Sequence, residues 1–308
     1  MATSTHIGAV ALSSLDPTRM SIGLFGPTGS GKTTNSVSFA GGEWGKVLFI
    51  IVESGPEGGA GGATSLQYLS DIHPRVKVDD VTTLTARDWE DMQNQFRWIK
   101  NNVVKLRESG ITTMVIDSGT ELTRIIEVGL RSINPKNLKG NTNAKGEEDS
   151  AKKNHILELV PDIGGSGGRA FEWFDYNVVH DRFKSVIDVA KQCGFRLVVT
   201  FLEGQGYDEK DGSTKMGIGP DATGRLLPSR IPSWFDCFFH CEVNETGEFV
   251  WLTANDPKRP GATGPYIAKN RFGKKLRRYE PADGVALLKR LGITAPVAPK
   301  AQVKGEVK

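Results

Sequence analysis

Three runs of the chain are apolar without alternation, Val47–Val52 (VLFIIV), Thr113–Ile116 (TMVI) and Leu197–Leu202 (LVVTFL), and a shorter run, Ser21–Phe25, precedes the first glycine cluster. A strand covered on both faces reads this way, whereas a half-exposed strand alternates. Between the runs the period changes to that of a helix. Trp89, Met92, Phe96, Ile99, Val103 and Leu106 recur at steps of three and four, which places them on one helix face, with Gly110 as the stop. A second helix is predicted over 171–192, with Gly194 as its terminator, and a short one over Pro281–Leu291, ending at Gly292. Phe235–Val243 and Glu248–Thr253 read as a hairpin around Asn244–Gly247. Strands alternating with helices predict an α/β fold, with a mostly parallel central sheet, helices on both faces and a C-terminal β-hairpin extension.

Three stretches break the pattern. Residues 134–153 carry five Lys against three acids and almost no apolar side chains. Residues 203–231 hold six glycines and read as a long loop. The end of the chain is rich in Pro, Ala and Lys. The predicted organisation is a short N-terminal arm (1–20), one domain (21–292) and a flexible tail (293–308).

Composition narrows the class. The 308 residues carry a net charge of +3, which excludes a uniformly basic binder and a highly charged disordered chain. Three cysteines are too few for a disulfide framework. No apolar run approaches the ~20 residues that cross a bilayer, and no signal-peptide pattern opens the chain. The expectation is a soluble, cytoplasmic protein with no membrane partner. Glycine is the outlier, at 36 residues.

Part of that glycine has a chemical reason. Gly26-Pro27-Thr28-Gly29-Ser30-Gly31-Lys32-Thr33 matches G-x-x-x-x-G-K-[ST], after one predicted strand and before a helix. Glycines let the backbone curl so that successive N–H groups face phosphate oxygens. Lys32 is expected to reach the β- and γ-phosphates, Thr33 to hold Mg²⁺, and Thr34 to complete the nucleotide contacts. Such a loop needs an acid for Mg²⁺ at the end of a neighbouring strand. Asp117 directly follows TMVI, and it also suits a helix cap with Ser118. Glu53 closes VLFIIV, at the edge where open α/β sheets bind ligands, and is the candidate to deprotonate water. An ordinary loop glutamate is the other reading of Glu53, with Glu57 and Glu121 as rivals.

The order P-loop, FIIVE (Phe49–Glu53), VIDS (Val115–Ser118), LVVTFL and AKNRFG (Ala268–Gly273) resembles the RecA-like ATPases, over roughly residues 20–280. More narrowly it resembles the core-only members encoded by bacteriophages. The resemblance implies a RecA-like P-loop NTPase core that hydrolyses ATP with Mg²⁺ and binds single-stranded DNA for annealing or recombination. It implies that Glu53 activates water and that Asp117 is the second Mg²⁺ acid. It also implies that Lys269 and Arg271 reach the ATP of a neighbouring subunit, so that activity requires self-association into a ring or filament. A single-strand-binding protein is a further implied partner. The sequence departs from the family in lacking an Asn-Gln sensor pair after LVVTFL, which leaves Thr200 or Gln205 as the candidate γ-phosphate sensor.

The small net charge hides a local excess. Pro257–Tyr279 contains eight Lys/Arg and no acid, including Lys274, Lys275, Arg277 and Arg278, interleaved with Tyr266, Phe272 and Tyr279. Cations with aromatics suit a single strand's phosphates and bases. In the 203–231 stretch, Lys210, Lys215, Arg225 and Arg230 are DNA candidates by family analogy alone. Cys237 and Cys241 with His240 read as buried thiols, because on a strand the cysteines face one way and the histidine the other. Two other functions remain open: a motor or packaging ATPase, and a nucleotide-dependent switch for a protein partner.

Overall fold

The computed structural model describes residues 19–53, 63–131, 159–160, 168–169, 173–207, 215–224, 226–254 and 266–296. The sheet strands, in chain order, are β1 (Ser21–Gly26), β2 (Lys46–Val52), β3 (Val81–Ala86), β4 (Ile111–Asp117), β5 (Arg196–Tyr207), β6 (Lys215–Pro220), β7 (Cys237–Val243), β8 (Phe249–Leu252), β9 (Lys269–Asn270) and β10 (Tyr279–Pro281). The helices that frame them are α1 (Lys32–Ser36), α2 (Trp89–Glu108), α3 (Gly119–Arg131), α4 (Trp173–Gln192) and α5 (Gly284–Leu291). All ten strands form one sheet, in the order β10-β8-β7-β1-β5-β4-β2-β3, with β6 paired to β5 and β9 to β7.

Six neighbours, β3-β2-β4-β5-β1-β7, run parallel. Beyond β7 the sheet turns antiparallel, β8 returning along β7 and β10 along β8. The apolar strands are covered on both sides. Phe25, Leu48, Ile50, Met114, Ile116 and Val199 meet α2, α3 and α4 on one face. Leu24, Val47, Phe49, Val115, Val198 and Phe239 meet α5, Phe39 and Trp251 on the other. The predicted helix face on α2 is buried at Met92, Phe96, Ile99 and Leu106. Asp88 caps its start, accepting the Asp91 N–H at 2.7 Å.

Two elements beside the site differ from the sequence reading. Part of the supposed loop at 203–231 is a β-ribbon: β5 continues to Tyr207 and pairs antiparallel with β6, Glu203 opposite Pro220 and Tyr207 opposite Lys215. Its glycines have no side chain to display alternation, so the strand is invisible as a pattern. The helix after the P-loop is only five residues long before it tightens into a 3₁₀ turn, so it has little axial dipole to offer. Met20 and Ile293, near the two ends of the described domain, are both buried in the second core. The insert at 134–153 and residues 297–308 lie outside the described residues. Among the described residues no helix is long and apolar enough to cross a membrane.

Candidate nucleotide site

β1 ends at Gly26, and the chain leaves the sheet there between β5 and β7. A Cβ on Gly26 would stand 2.4 Å from the Cys241 carbonyl oxygen, so only glycine fits against β7. Gly29 (φ +82°) and Gly31 (φ +75°) take the left-handed backbone that a curled loop requires. Ser30 N–H donates to the Pro27 carbonyl at 3.3 Å and closes the turn. The loop therefore has the concave form its spacing predicts.

Lys32 folds back into this loop. Its Nζ donates to the carbonyls of Gly26 (2.8 Å) and Pro27 (2.6 Å), with Ser30 Oγ at 3.5 Å. Burial lowers its pKa, while the nearby acids Asp117 and Glu203 act the other way. The ammonium is thus held at the loop by carbonyl oxygens that phosphate oxygens can replace.

Asp117 ends β4. It is the meeting point of three elements. Oδ2 accepts a 2.7 Å hydrogen bond from Thr33 Oγ1 of the loop, and Oδ1 accepts one from Thr200 Oγ1 of β5. Burial pushes the Asp117 carboxyl above its ordinary range, opposed by the hydrogen bonds from Thr200 and Thr33 and by the Lys32 charge. A buried carboxylate beside a hydroxyl is a hard-oxygen set that suits Mg²⁺, with phosphate and water to complete an octahedron. Thr200, a candidate phosphate sensor from sequence, spends its hydroxyl on Asp117 and is fully buried. Its position as the only hydroxyl in LVVTFL was the available signal for that role.

Glu53 follows β2, its N–H donating to the Ala86 carbonyl at 3.1 Å. Its side chain lines the same cavity, of about 550 Å³, as Thr28, Gly29, Gly31, Lys32, Thr33, Thr34 and Asp117. Glu121 lines it too, but its carboxylate is paired with Arg124. Glu57 lies outside the described residues.

The remaining candidates fall elsewhere. Arg271 pairs with Asp236 at 3.0 Å, and Asp236 in turn accepts from Ser21 at the start of β1. The P-loop is at the other end of that strand, about 17 Å away at ~3.3 Å per residue. Arg271 therefore cannot serve the nucleotide of its own subunit. Lys269 Nζ donates to the carbonyls of Pro232 (3.1 Å), Ser233 (3.1 Å) and Phe235 (2.7 Å). Lys274, Lys275, Arg277 and Arg278 are exposed on the segment that leads into edge strand β10. Arg230 ends a short helical turn, Lys215 opens β6, and Lys210 and Arg225 lie outside the described residues.

Cys237 and Cys241 face the second core, whereas His240 turns to the opposite face, between Phe25 and Tyr266. Burial pushes both thiols up to about 12. No cluster of three or more His, Cys, Asp or Glu residues able to hold a metal occurs among the described residues.

A family model described as AAA domain matches residues 18–272. The chain belongs to the AAA domain family. It is a P-loop ATPase of that type, and its mixed α/β sheet fits the P-loop NTPase fold. A search of curated proteins returns no match. An AAA domain indicates nucleotide-dependent ATPase activity.

Proposed function

We propose that the chain is a RecA-like ATPase that binds ATP and single-stranded DNA and promotes strand annealing or recombination, in a ring or filament of its own copies, as in bacteriophage systems. The hydrolytic half rests on one observation: Thr33 and Asp117 are hydrogen-bonded at 2.7 Å in a cavity that Glu53 also lines. Lys32 leaves the Gly26 and Pro27 carbonyls for the β- and γ-phosphate oxygens. Thr33 and Asp117 hold Mg²⁺, which supplies charge neutralisation when bound. Glu53 orients a water and takes its proton as the oxygen bonds to the γ-phosphorus and the bond to the ADP oxygen breaks. Arg271, half exposed and remote from its own P-loop, is placed in this reading against a neighbour's nucleotide.

The DNA half is supported by the exposed cations Lys274, Lys275, Arg277 and Arg278 beside Tyr279, whose ring lies 5.8 Å from the Arg278 guanidinium carbon. Such a surface offers phosphate contacts and a stacking face. A single-strand-binding protein is the natural partner, since it occupies the same substrate.

The test pairs fluorescence anisotropy on a single-stranded oligonucleotide with ATP turnover. Binding is expected at low salt and is expected to fall steeply as salt rises. Turnover is expected to rise with DNA, and annealing of complementary strands to accelerate. Absence of DNA binding at low salt, with or without ATP, would sink the DNA half. Preference for duplex ends would favour a packaging motor. Glu53→Gln is expected to bind ATP normally and lose about 10²–10⁴ in turnover; a wild-type rate would move the base to Glu121.

A further inference from the structure

The cavity over the P-loop has two unlike ends. In the sheet, β4 and β2 lie on one side of β1, beyond β5, and they bring Asp117 and Glu53 to the cavity. β7 and β8 lie on the other side of β1. From there the cavity receives Phe249, the first residue of β8 and the only aromatic among its described lining residues. The ring packs against the second core and is partly buried. Two of its carbons stand 2.7 and 2.8 Å from where a Cβ on Gly31 would lie. The ring therefore presses on the phosphate loop itself.

This asymmetry orients a nucleotide. The terminal phosphate must lie towards the acids that hold Mg²⁺ and activate water, on the β4–β2 side. The α-phosphate and nucleoside then leave the loop towards β7 and β8. We propose that Phe249 is the stacking face for the nucleobase, a base subsite formed by the antiparallel extension of the sheet. An aromatic face of this kind adds affinity for a base without reading its edges. It also gives Gly31 a second reason to be glycine, since any side chain there would displace the ring. The inference rests on the nucleotide-binding reading above.

Isothermal titration of wild type, Phe249→Ala and Phe249→Tyr with Mg-ATP and with Mg-tripolyphosphate tests it. Tripolyphosphate keeps the phosphate contacts and lacks the base. Phe249→Ala is expected to lose about tenfold or more in ATP affinity and to stay within twofold for tripolyphosphate. Phe249→Tyr is expected to match wild type for both ligands. An unchanged ATP affinity in Phe249→Ala overturns the proposal. So does an equal loss for both ligands, which would make the ring a prop for the loop. If the alanine variant does not fold, Phe249→Leu keeps apolar bulk against Gly31 and removes the flat face, with the same expectation. If wild type binds neither ligand, the nucleotide site itself is misassigned and the base subsite falls with it.

Discussion

Two lysines of this chain make nearly the same bonds in opposite surroundings. Lys32 donates to the carbonyls of Gly26 and Pro27, and Lys269 to those of Pro232, Ser233 and Phe235. Burial lowers the pKa of both. Around Lys32 the neighbouring charges are acidic, Asp117 and Glu203, and a cavity of about 550 Å³ opens beside it. Around Lys269 the neighbours include the cations Arg271 and Lys191, opposed by Asp236 and the Cys237 thiol. One ammonium is parked where phosphate can take it over. The other is held by carbonyl dipoles against like charge, and it fastens the turn at 232–235 to β9. Sequence resemblance groups Lys269 with Arg271 as cations that act on a neighbour; within one subunit Lys269 bonds to carbonyls and Arg271 to Asp236.

Substitution can break this contrast. Lys32→Met should weaken ATP binding by about a hundredfold or more, since charge-assisted contacts to phosphate disappear. Its melting temperature should move less than that of Lys269→Met. Titration and thermal melts together decide the point, and equal behaviour of the two variants would erase the distinction. Lys269→Met should cost about 2–3 kcal/mol in stability by urea denaturation, while ATP affinity stays within twofold.

His73, a base that is buried where the two lysines are only partly so, separates burial from function. Its Nε2 lies 2.9 Å from Asn35 Oδ1 behind the P-loop, and burial, with Arg75 adding to it, lowers its pKa from 6.5 to about 4. Between those values the unfolded chain binds more protons than the folded one. Stability should therefore fall as pH drops through that window, by about 2 kcal/mol between pH 7.5 and 5. Urea midpoints of wild type and His73→Gln across that range measure it, and a parallel pH slope in the variant would count against the assignment. The smallest effect belongs to Arg271→Ala, whose exposed pair with Asp236 should contribute under about 1 kcal/mol to stability. If Arg271 acts on a neighbour, mixing this variant with Glu53→Gln subunits should restore turnover that neither shows alone.

Legibility followed the side chains. Continuous apolar runs exposed β1, β2, β4 and β5, because strands buried on both faces must be apolar at every position. Helix α2 was legible because its buried residues keep one face. β3 was not, since Thr82, Thr83 and Thr85 are exposed on an edge strand and supply no apolar pattern. The β5–β6 ribbon was hidden by Gly204, Gly206, Gly217 and Gly219. In the site, Gly26–Thr33, Asp117 and Glu53 could be found because each stands at a strand end. Phe249 could not. It enters the cavity from a strand more than two hundred residues later, and only strand order brings it beside Gly31.

The three cysteines have a practical corollary. Cys193, Cys237 and Cys241 are buried, and burial raises all three thiols, two of them to about 12. Maleimides attack the thiolate, so labelling of the native fold at neutral pH should be slow, and it should become rapid at all three thiols on unfolding. An exposed cysteine introduced into this chain should therefore label well ahead of the three natural ones. A single Arg278→Cys substitution would accept one fluorophore beside Tyr279 and report directly on whatever meets that surface.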